Sequence, residues 1–393
     1  MTADSIPDTT SSDNNQETIS PPKTPLPVDQ KWLEKVITES TGVKGQLLSV
    51  ESEIIAKGLG FLSFVSRCVL QWDDKSPDWE KLPASVILKQ PTNTKLGEIC
   101  EEIAAKIDFE FVKKIHNREV YAYKFFNQDG RPPFKMPRLF YAEEISDDSN
   151  GILVLEDLSQ NSKSTSFGEY MSIGKIENLI DSIANMQVYG QKHEAWKSTL
   201  PDLMTEFVEV GKSEWDTMVQ YVWDNMPEVK LTKEQFERLK EMSLAYFTAD
   251  KNPDSTVLSY GDLQPNNILW KTDSDGNITD DLVALLDYQI VHEGRLAEDL
   301  SYLLFFYLDP DQRRADTDRL LKLYYSKIEE LLAPRKPPFS LQDVHDSFQE
   351  CLVGFVMMYV TMIQIFFTSL NLGDDYKPVA TKHVNAGLED INL

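Results

Sequence analysis

Four polar residues in the second half of the chain stand where apolar, strand-like runs end. Tyr260, Asp262 and Asn267 lie in the stretch VLSYGDLQPNNILW at 257–270, and Asp287 follows the apolar run LVALL. Phosphoryl transfer needs a carboxylate that orients and deprotonates the attacking hydroxyl, and oxygen ligands for magnesium. An aspartate followed five residues later by an asparagine, and then by an aspartate at a strand end, supplies both. We therefore interpret Asp262 as a candidate base and Asn267 and Asp287 as candidate metal ligands.

Phosphates also need a cation, and Lys89 is the candidate. It ends the predicted strand PASVILKQ, where its side chain could reach the α- and β-phosphates of a nucleotide. A lysine that faces the interior needs an anionic partner because its desolvation is costly. Glu119, in the predicted helix HNREVYAYKFF, is the expected partner. Taken singly, Lys89 is also compatible with a solvated strand end, Glu119 with an exposed helix residue, and Asp287 with an ordinary turn.

Two segments are candidates for contacts made by the backbone. Gly58 and Gly60, in KGLGFLS ending at Ser63, stand at a predicted hairpin turn whose N–H groups could approach phosphate. A plain hairpin explains these glycines equally well. Glu156 and Leu158, in LEDL at the end of a predicted strand, could offer backbone groups to an adenine edge. The order and spacing of all these candidate residues along the chain are more specific for phosphoryl transfer than any one of them alone.

The elements that must position these residues indicate an α+β fold with two lobes. We predict a disordered tail at 1–27, because this part is rich in Ser, Thr, Pro and Asp. Residues 28–158 predict a small nucleotide-binding lobe with antiparallel strands and one long helix. Residues 159–393 predict a larger, mostly helical lobe that carries the loop 260–267 and the metal-binding Asp287.

Composition limits the classes of partner. The chain has 39 Lys and Arg against 64 Asp and Glu, a formal net charge of −25. No basic stripe offsets phosphate repulsion, so a nucleic-acid partner is not expected. The three cysteines, Cys68, Cys100 and Cys351, fit neither a disulfide framework nor a zinc site. Together with the lack of a secretory signal pattern, this predicts a cytoplasmic protein. The oligomeric state is not readable.

One segment resembles a membrane span. Residues 351–370, CLVGFVMMYVTMIQIFFTSL, are nearly uncharged, but they contain Thr and Gln and have no Lys or Arg close to either end. We therefore expect a helix buried in the larger lobe rather than a membrane span. The five histidines are scattered without metal-ligand spacing, and His292 is expected to be a loop residue.

The stretches NREVYAYKFF, LVLEDL, VLSYGDLQPNNILW and VALLDYQIVHEGRLAEDLSYLL resemble the choline-kinase-like family. This family, also called CHK-like or ecdysteroid-kinase-like, is part of the aminoglycoside phosphotransferase and protein-kinase-like superfamily. The resemblance runs from about residue 45 to the C-terminus and is strongest at 256–305. It implies a protein-kinase-like two-lobed fold with ATP and Mg²⁺ between the lobes. It also implies transfer of the γ-phosphate to a hydroxyl of a small molecule, such as a choline-like amine, a steroid alcohol or a xenobiotic alcohol.

The resemblance also implies a role for each matching residue. By position, Asp262 would be the catalytic base, and Asn267 and Asp287 would be the metal ligands. Lys89 with Glu119 would orient the phosphates.

The sequence departs from the family pattern at two positions in the loop. Tyr260 stands where the family usually has His, and Gln264 where it usually has Trp. Asp299, in RLAEDLSYLL, falls where the family keeps an acid that looks structural, and we expect it to cap a helix outside the site.

Two alternatives to a small-molecule kinase follow from the sequence. The departure at Tyr260 supports a catalytically weak or inactive kinase-like binding module, a pseudokinase. A protein kinase is less consistent with the sequence, because Asp287-Tyr288-Gln289 stands where Asp-Phe-Gly would be and no Ala-Pro-Glu follows.

Overall fold

An antiparallel sheet of five strands forms most of the N-terminal part of the protein. The computed structural model describes residue 25 and residues 27–55, 62–92, 108–200, 204–251, 256–370 and 372–393. The strands run in the order β1-β2-β3-β5-β4, and each neighbouring pair is antiparallel. Their bounds are β1 Leu47–Ile54, β2 Ser63–Trp72, β3 Ser85–Pro91, β4 Leu139–Ser146 and β5 Ser149–Glu156.

Two helices pack against this sheet. Helix α1 (Gln30–Thr41) begins after Asp29, whose side chain accepts a hydrogen bond from the Trp32 backbone N–H. Its apolar stripe joins alternate residues in the second half of β2 in a small core, which includes Leu33, Ile37, Cys68, Leu70 and Trp72. The longer helix α2 (Phe109–Asn127) is capped in the same way by Asp108. Helix α2 lies against β3, β4 and β5 and carries the candidate Glu119.

The rest of the chain is mostly helical and surrounds a second, larger core. Its helices are α3 Ile173–Lys192, α4 Met204–Gly211, α5 Trp215–Asn225, α6 Lys233–Thr248, α7 Glu298–Tyr307, α8 Pro310–Leu332, α9 Leu341–Thr368 and α10 Lys377–Asp390. Two small sheets interrupt the helices. One consists of β6 (Ser162–Lys163), β8 (Ile268–Thr272) and β9 (Ile278–Leu285), and the other of β7 (Thr256–Ser259) and β10 (His292–Arg295).

The predicted α+β class, with a small antiparallel sheet and one long helix ahead of a larger helical part, is confirmed. Most of the predicted tail, the turn with Gly58 and Gly60, and Cys100 lie outside the described residues. The long helix predicted to carry Glu119 is present in the described residues as Phe109–Asn127.

The apolar segment at 351–370 forms most of α9. Length and composition alone would allow this helix to cross a membrane, but 61% of its most apolar stretch is buried inside the protein. Helix α9 packs against α5, α6, α7 and α10. It is therefore a central element of the larger core.

Candidate active site

Lys89 lies between two carboxylates that come from different parts of the chain. Its Nζ is 2.8 Å from Oε2 of Glu119 and 2.8 Å from Oδ1 of Asp287. Strand β3 supplies the lysine, helix α2 the glutamate, and the residues after β9 the second carboxylate. Glu119 is almost completely buried, whereas Asp287 keeps about a quarter of its side chain exposed, 24%. The three charges therefore join the five-stranded sheet to the helical part.

The electrostatics of this trio favour a charged lysine. Burial alone lowers the pKa of Lys89, but the charges of Asp287 and Glu119 and their hydrogen bonds outweigh burial and raise it. Burial raises the pKa of Glu119 to about 7, although the Lys89 ammonium opposes this shift. Lys89 thus stays cationic in a site from which water is largely excluded. Glu119 depends on that cation to remain ionised.

Asp262 and Asn267 face each other across a short loop. After β7 the chain passes through Asp262 and a single 3₁₀ turn, Pro265–Asn267, before it enters β8. The turn brings the asparagine back onto the aspartate, so that Asn267 Nδ2 donates to Asp262 Oδ2 at 2.9 Å. The same Nδ2 also donates to the Asp262 backbone carbonyl oxygen at 3.2 Å. A spacing of five residues is short enough for one turn to bring the two side chains together.

Asp262 is a carboxyl group that resists ionisation. Burial raises its pKa to about 7, and the negative charge of Asp287 adds to this effect. Hydrogen bonds from the side chains of Asn267 and Gln264, and the charge of Lys89, oppose the shift. A carboxylate with a pKa near neutrality is suited to take a proton from a hydroxyl, because general bases work best when their pKa is close to the operating pH.

Asp287 has an unusual backbone conformation. Its φ is 58°, in the left-handed region that side chains other than Gly, Asn and Asp rarely adopt. The residue before it, Leu286, donates its backbone N–H to the carbonyl of Asn267 at 2.8 Å. Non-glycine residues held in this region cluster at functional sites. The backbone bond fixes the segment of Asp287 relative to the loop of Asp262.

Tyr260, which departs from the family pattern, makes a second bond between the same two segments. Its hydroxyl donates to the backbone carbonyl of Leu286. Its ring stands edge-on to Tyr288 with 5.3 Å between centroids, and the ring is completely buried. Tyrosine therefore supplies a ring and a hydrogen-bond donor that hold the loop beside Asp287.

Asp299 holds the loop rather than capping a helix. It stands in the first turn of α7, but its carboxylate accepts the backbone N–H groups of Tyr260 at 2.8 Å and Gly261 at 2.9 Å. The helix cap expected from the sequence is absent, since the N-cap residue of α7 is Ala297 and has no side-chain bond. The acid aligns the two residues that precede Asp262.

His292 is a functional candidate that sequence reasoning missed. It is completely buried at the start of β10, rather than in a loop. Its Nδ1 lies 2.8 Å from the carbonyl oxygen of Ile290 and its Nε2 lies 2.8 Å from Oε1 of Glu298. A neutral imidazole has one N–H, so two acceptors are satisfied together only by the imidazolium. A Cβ placed on Gly261 would lie 3.1 Å from the ring, which therefore supports the loop next to Asp262.

Glu298 completes this buried ion pair. Burial alone raises its pKa, but the charge and hydrogen bond of His292 outweigh burial and lower the pKa to about 2. Its other oxygen accepts the backbone N–H of Arg295 at 3.0 Å. Of the two adjacent acids of α7, Glu298 thus holds the loop through His292, and Asp299 holds it directly. No sequence signal marks the pair, because His292 and Glu298 meet across a turn.

The other predicted nucleotide contacts lie at the edges of the site. Ser63 begins β2 and is buried. The Glu156 carboxylate accepts the backbone N–H of Arg138 at 3.0 Å, and the Leu158 carbonyl accepts the hydroxyl of Ser162 at 2.6 Å. Their contacts with a nucleotide stay predictions.

The Asp157 side chain, between these two residues in the chain, is held by several hydrogen bonds. Its carboxylate accepts hydrogen bonds from Arg67 Nε at 2.7 Å, Ser85 Oγ at 2.6 Å and Ser159 Oγ at 2.6 Å. It also accepts the backbone N–H of Ser159 at 3.0 Å. Burial alone raises the pKa of Asp157, but these bonds lower it. The junction between the two parts of the chain is thereby tied to β2 and β3.

Comparison with known proteins assigns the chain to a family. The family model DUF1679, described as "Uncharacterized oxidoreductase dhs-27", matches residues 30–392. The chain belongs to the DUF1679 family. It is 22% identical over 288 residues to the uncharacterized oxidoreductase dhs-27 of Caenorhabditis elegans, which covers 69% of this chain and 34% of that protein. The DUF1679 chain thus spans about a third of the length of dhs-27.

A second relative of the DUF1679 chain is named for its kinase-like character. The uncharacterized kinase-like protein D1044.1 of Caenorhabditis elegans is 22% identical over 306 residues, which covers 73% of this chain and 76% of that protein. The resemblance to kinase-like proteins is therefore confirmed.

Solved structures similar to the DUF1679 chain include choline kinase from Cryptosporidium parvum Iowa II. It has 12% sequence identity, a TM-score of 0.49, and coverage of 87% of this chain and 89% of that one. A putative aminoglycoside phosphotransferase from Ralstonia eutropha JMP134 has 14% identity, a TM-score of 0.47, and coverage of 92% and 98%.

The donor set of the DUF1679 chain fits a magnesium ion better than a metal held by protein alone. Among the residues that the structure describes, no group of three or more His, Cys, Asp and Glu is arranged to hold a metal. Asn267 uses its amide nitrogen on Asp262, so its amide oxygen is the atom that a cation would bind. Mg²⁺ commonly takes one or two protein oxygens and completes its shell with phosphate and water. Asn267 and Asp287 match that requirement.

Proposed function

We propose that this protein is an ATP-dependent phosphotransferase that moves the γ-phosphate to a hydroxyl of a small molecule. The convergence of Lys89, Glu119 and Asp287 beside Asp262 and Asn267 supports this function. It unites a cation and its partner, a base and two oxygen ligands from four separate segments. These are the parts that phosphoryl transfer requires. The kinase-like name of a relative with 76% coverage supports the same class.

Each side chain has a part in this proposal. Asp262 receives the proton of the acceptor hydroxyl, and Asn267 holds its carboxylate by a hydrogen bond of 2.9 Å. Lys89 presents a permanent positive charge to phosphate oxygens, and Glu119 keeps it in place. Magnesium, bound through Asn267 and Asp287, would offset the charge of the phosphates.

The nucleotide is proposed to lie between the sheet and the helical part. Backbone groups of Glu156 and Leu158 would contact the adenine edge. Ser63, at the start of β2, would lie near the phosphates.

Nucleotide binding is tested by thermal unfolding with and without MgATP. A ligand at 100 times its Kd adds about 2.7 kcal/mol to the stability of the folded state. We expect a magnesium-dependent rise in Tm for the wild type and none for Asp287→Ala. The control is Asp273→Ala, because Asp273 is an exposed turn residue on the β8–β9 connection. If millimolar MgATP does not raise the Tm of the wild type, that result would contradict nucleotide binding.

Phosphate transfer is tested separately, by following ADP formation with a panel of hydroxylated acceptors. Asp262→Asn should bind MgATP almost normally and lose most turnover, because an amide cannot accept the proton. Wild-type turnover by this variant would refute the role of Asp262 as base. Binding of MgATP by the wild type without transfer to any acceptor would favour a kinase-like binding module instead.

A further inference from the structure

A cavity of about 250 Å³ lies beside the proposed base. The loop contributes Asp262 and Gln264 to its wall, and helices α5, α7 and α9 contribute the rings of Trp215, Tyr302 and Phe355. A hydroxyl bound in this cavity would therefore be next to the carboxylate that takes its proton. Small-molecule sites are mostly apolar cavities with a few polar groups at one end, and this cavity has that composition.

The charged residues that line the cavity, among those the structure describes, are all acids. None of the described residues that line it is basic, whereas Asp262, Glu298 and Asp299 all contribute. Glu298 is paired with the buried His292, and Asp299 accepts two backbone N–H groups, so both acids are held in place without a ligand. A ligand with a negative charge would meet no basic residue in the described wall, because the nearby cations Lys89 and His292 are already paired with carboxylates. It would therefore be repelled in a site of low dielectric constant.

The cavity is partly open to solvent, and its volume limits the size of the group that can be enclosed beside Asp262. An apolar cavity of about 150 Å³ holds benzene, so this one accommodates one ring with a few substituents. A four-ring steroid skeleton is several times the size of benzene and cannot be enclosed in it. Met357 and Met358 lie in the wall, and their flexible thioethers adapt to ligands of different outline.

We propose that the acceptor is an alcohol without negative charge whose hydroxyl is carried on a compact apolar body of about one ring. This inference rests on the proposed phosphotransferase function and narrows its substrate class. In the reaction, the hydroxyl oxygen forms a bond to the γ-phosphorus and the bond to the ADP oxygen breaks. The hydroxyl proton passes to Asp262, and the products are a phosphate monoester and ADP.

The test uses three alcohols of nearly equal shape that differ in charge. They are 4-methylbenzyl alcohol, 4-(aminomethyl)benzyl alcohol and 4-(hydroxymethyl)benzoate, and a steroid alcohol tests size. We expect the neutral and cationic alcohols to be phosphorylated, with kcat/KM for the benzoate at least about 100-fold lower. The steroid alcohol should be phosphorylated at a rate close to background. Comparable kcat/KM for the benzoate or for the steroid alcohol would overturn the inference.

Binding of the same compounds, followed by ligand-observed NMR, separates this inference from the proposed function. Binding of the neutral and cationic alcohols without phosphate transfer would refute the phosphotransferase function. The inferred limits on the charge and size of the ligand would still hold. Transfer to the benzoate at a comparable rate would support the phosphotransferase and refute the rule of charge. Neither binding nor transfer with any compact alcohol would overturn the inference.

A pair of variants tests the charge of the wall. Met358 is half-buried and lines the cavity, whereas Met362 is half-buried one turn later on α9 and does not line it. Met358→Lys should raise kcat/KM for the benzoate at least about 10-fold and lower it for the amine, because it places a cation in the wall. Met362→Lys should change neither. Equal effects of the two variants would contradict the placement of the acceptor.

Discussion

Replacing Asp262 by asparagine is expected to stabilise the protein, and to do so more at high pH than at low pH. In the folded protein, burial and the charge of Asp287 raise the pKa of Asp262 to about 7. In the unfolded chain it ionises near its ordinary value of 3.8. Between these values the folded state holds a proton that the unfolded state has released, so the free energy of unfolding falls as the pH rises.

The size of the effect follows from the interval that the experiment spans. Between the unfolded and the folded pKa, each unit of rise in pH lowers the free energy of unfolding by about 1.36 kcal/mol. This loss stops growing above about pH 7. Between about pH 5.5 and about pH 8.5, the wild type should therefore lose about 2 kcal/mol relative to Asp262→Asn. Glu119, whose pKa is also about 7, titrates in both proteins and largely cancels in the comparison.

The assay is urea unfolding of both proteins at the two pH values, without nucleotide and with a chelator. A matched control is Asp273→Asn, because Asp273 is exposed and hydrogen bonds lower its pKa, so it stays ionised throughout. The control should show no pH-dependent difference from the wild type. A difference between Asp262→Asn and the wild type that is the same at both pH values would mean that Asp262 has an ordinary pKa, and the argument for a tuned base would fail.

Three further changes test the contacts around the base. Lys89→Ala removes the cation between Asp287 and Glu119, and should raise KM for ATP or lower kcat. In urea unfolding it should lower the free energy of unfolding by about 3–5 kcal/mol, and by less at a pH where Glu119 is protonated. Unchanged ATP kinetics would count against this site. Tyr260→Phe leaves the Leu286 carbonyl without its donor, and should cost about 1–3 kcal/mol in the same assay; unaltered stability would show that the bond is unimportant. His292→Gln removes the cation below the loop and should lower kcat with little change in KM for ATP; parallel changes in both would indicate a general loss of structure.

The sequence predicted the parts of the site that short spacing determines. Asp262 and Asn267 are five residues apart, so a single turn between two strands is enough to bring them together. Lys89 and Glu119 are further apart, but their elements, a strand and the long helix, were both recognisable from periodicity. The pairing of a buried lysine with an acid follows from the cost of desolvation.

The contacts that the sequence did not predict depend on the tertiary fold. Asp299 reaches the backbone of Tyr260 across 39 positions of the chain, and no local pattern distinguishes that bond from a helix cap. His292 and Glu298 become partners only when β10 pairs with β7 and α7 begins beneath the loop. Asp157 is similarly fastened to strands that precede it by about 70 to 90 positions. A single sequence carries little information about such pairs.

The position of α9 in the chain has a consequence for biosynthesis. This helix, Leu341–Thr368, packs against α5, α6 and α7, which all leave the ribosome before it. Until it is made, the faces of those three helices that it will cover remain open to water. Partly synthesised chains with such apolar faces are prone to aggregate. Nascent chains of this protein therefore expose these apolar faces until residue 368 has emerged, and a stop codon before Leu341 would leave a product in which they stay uncovered.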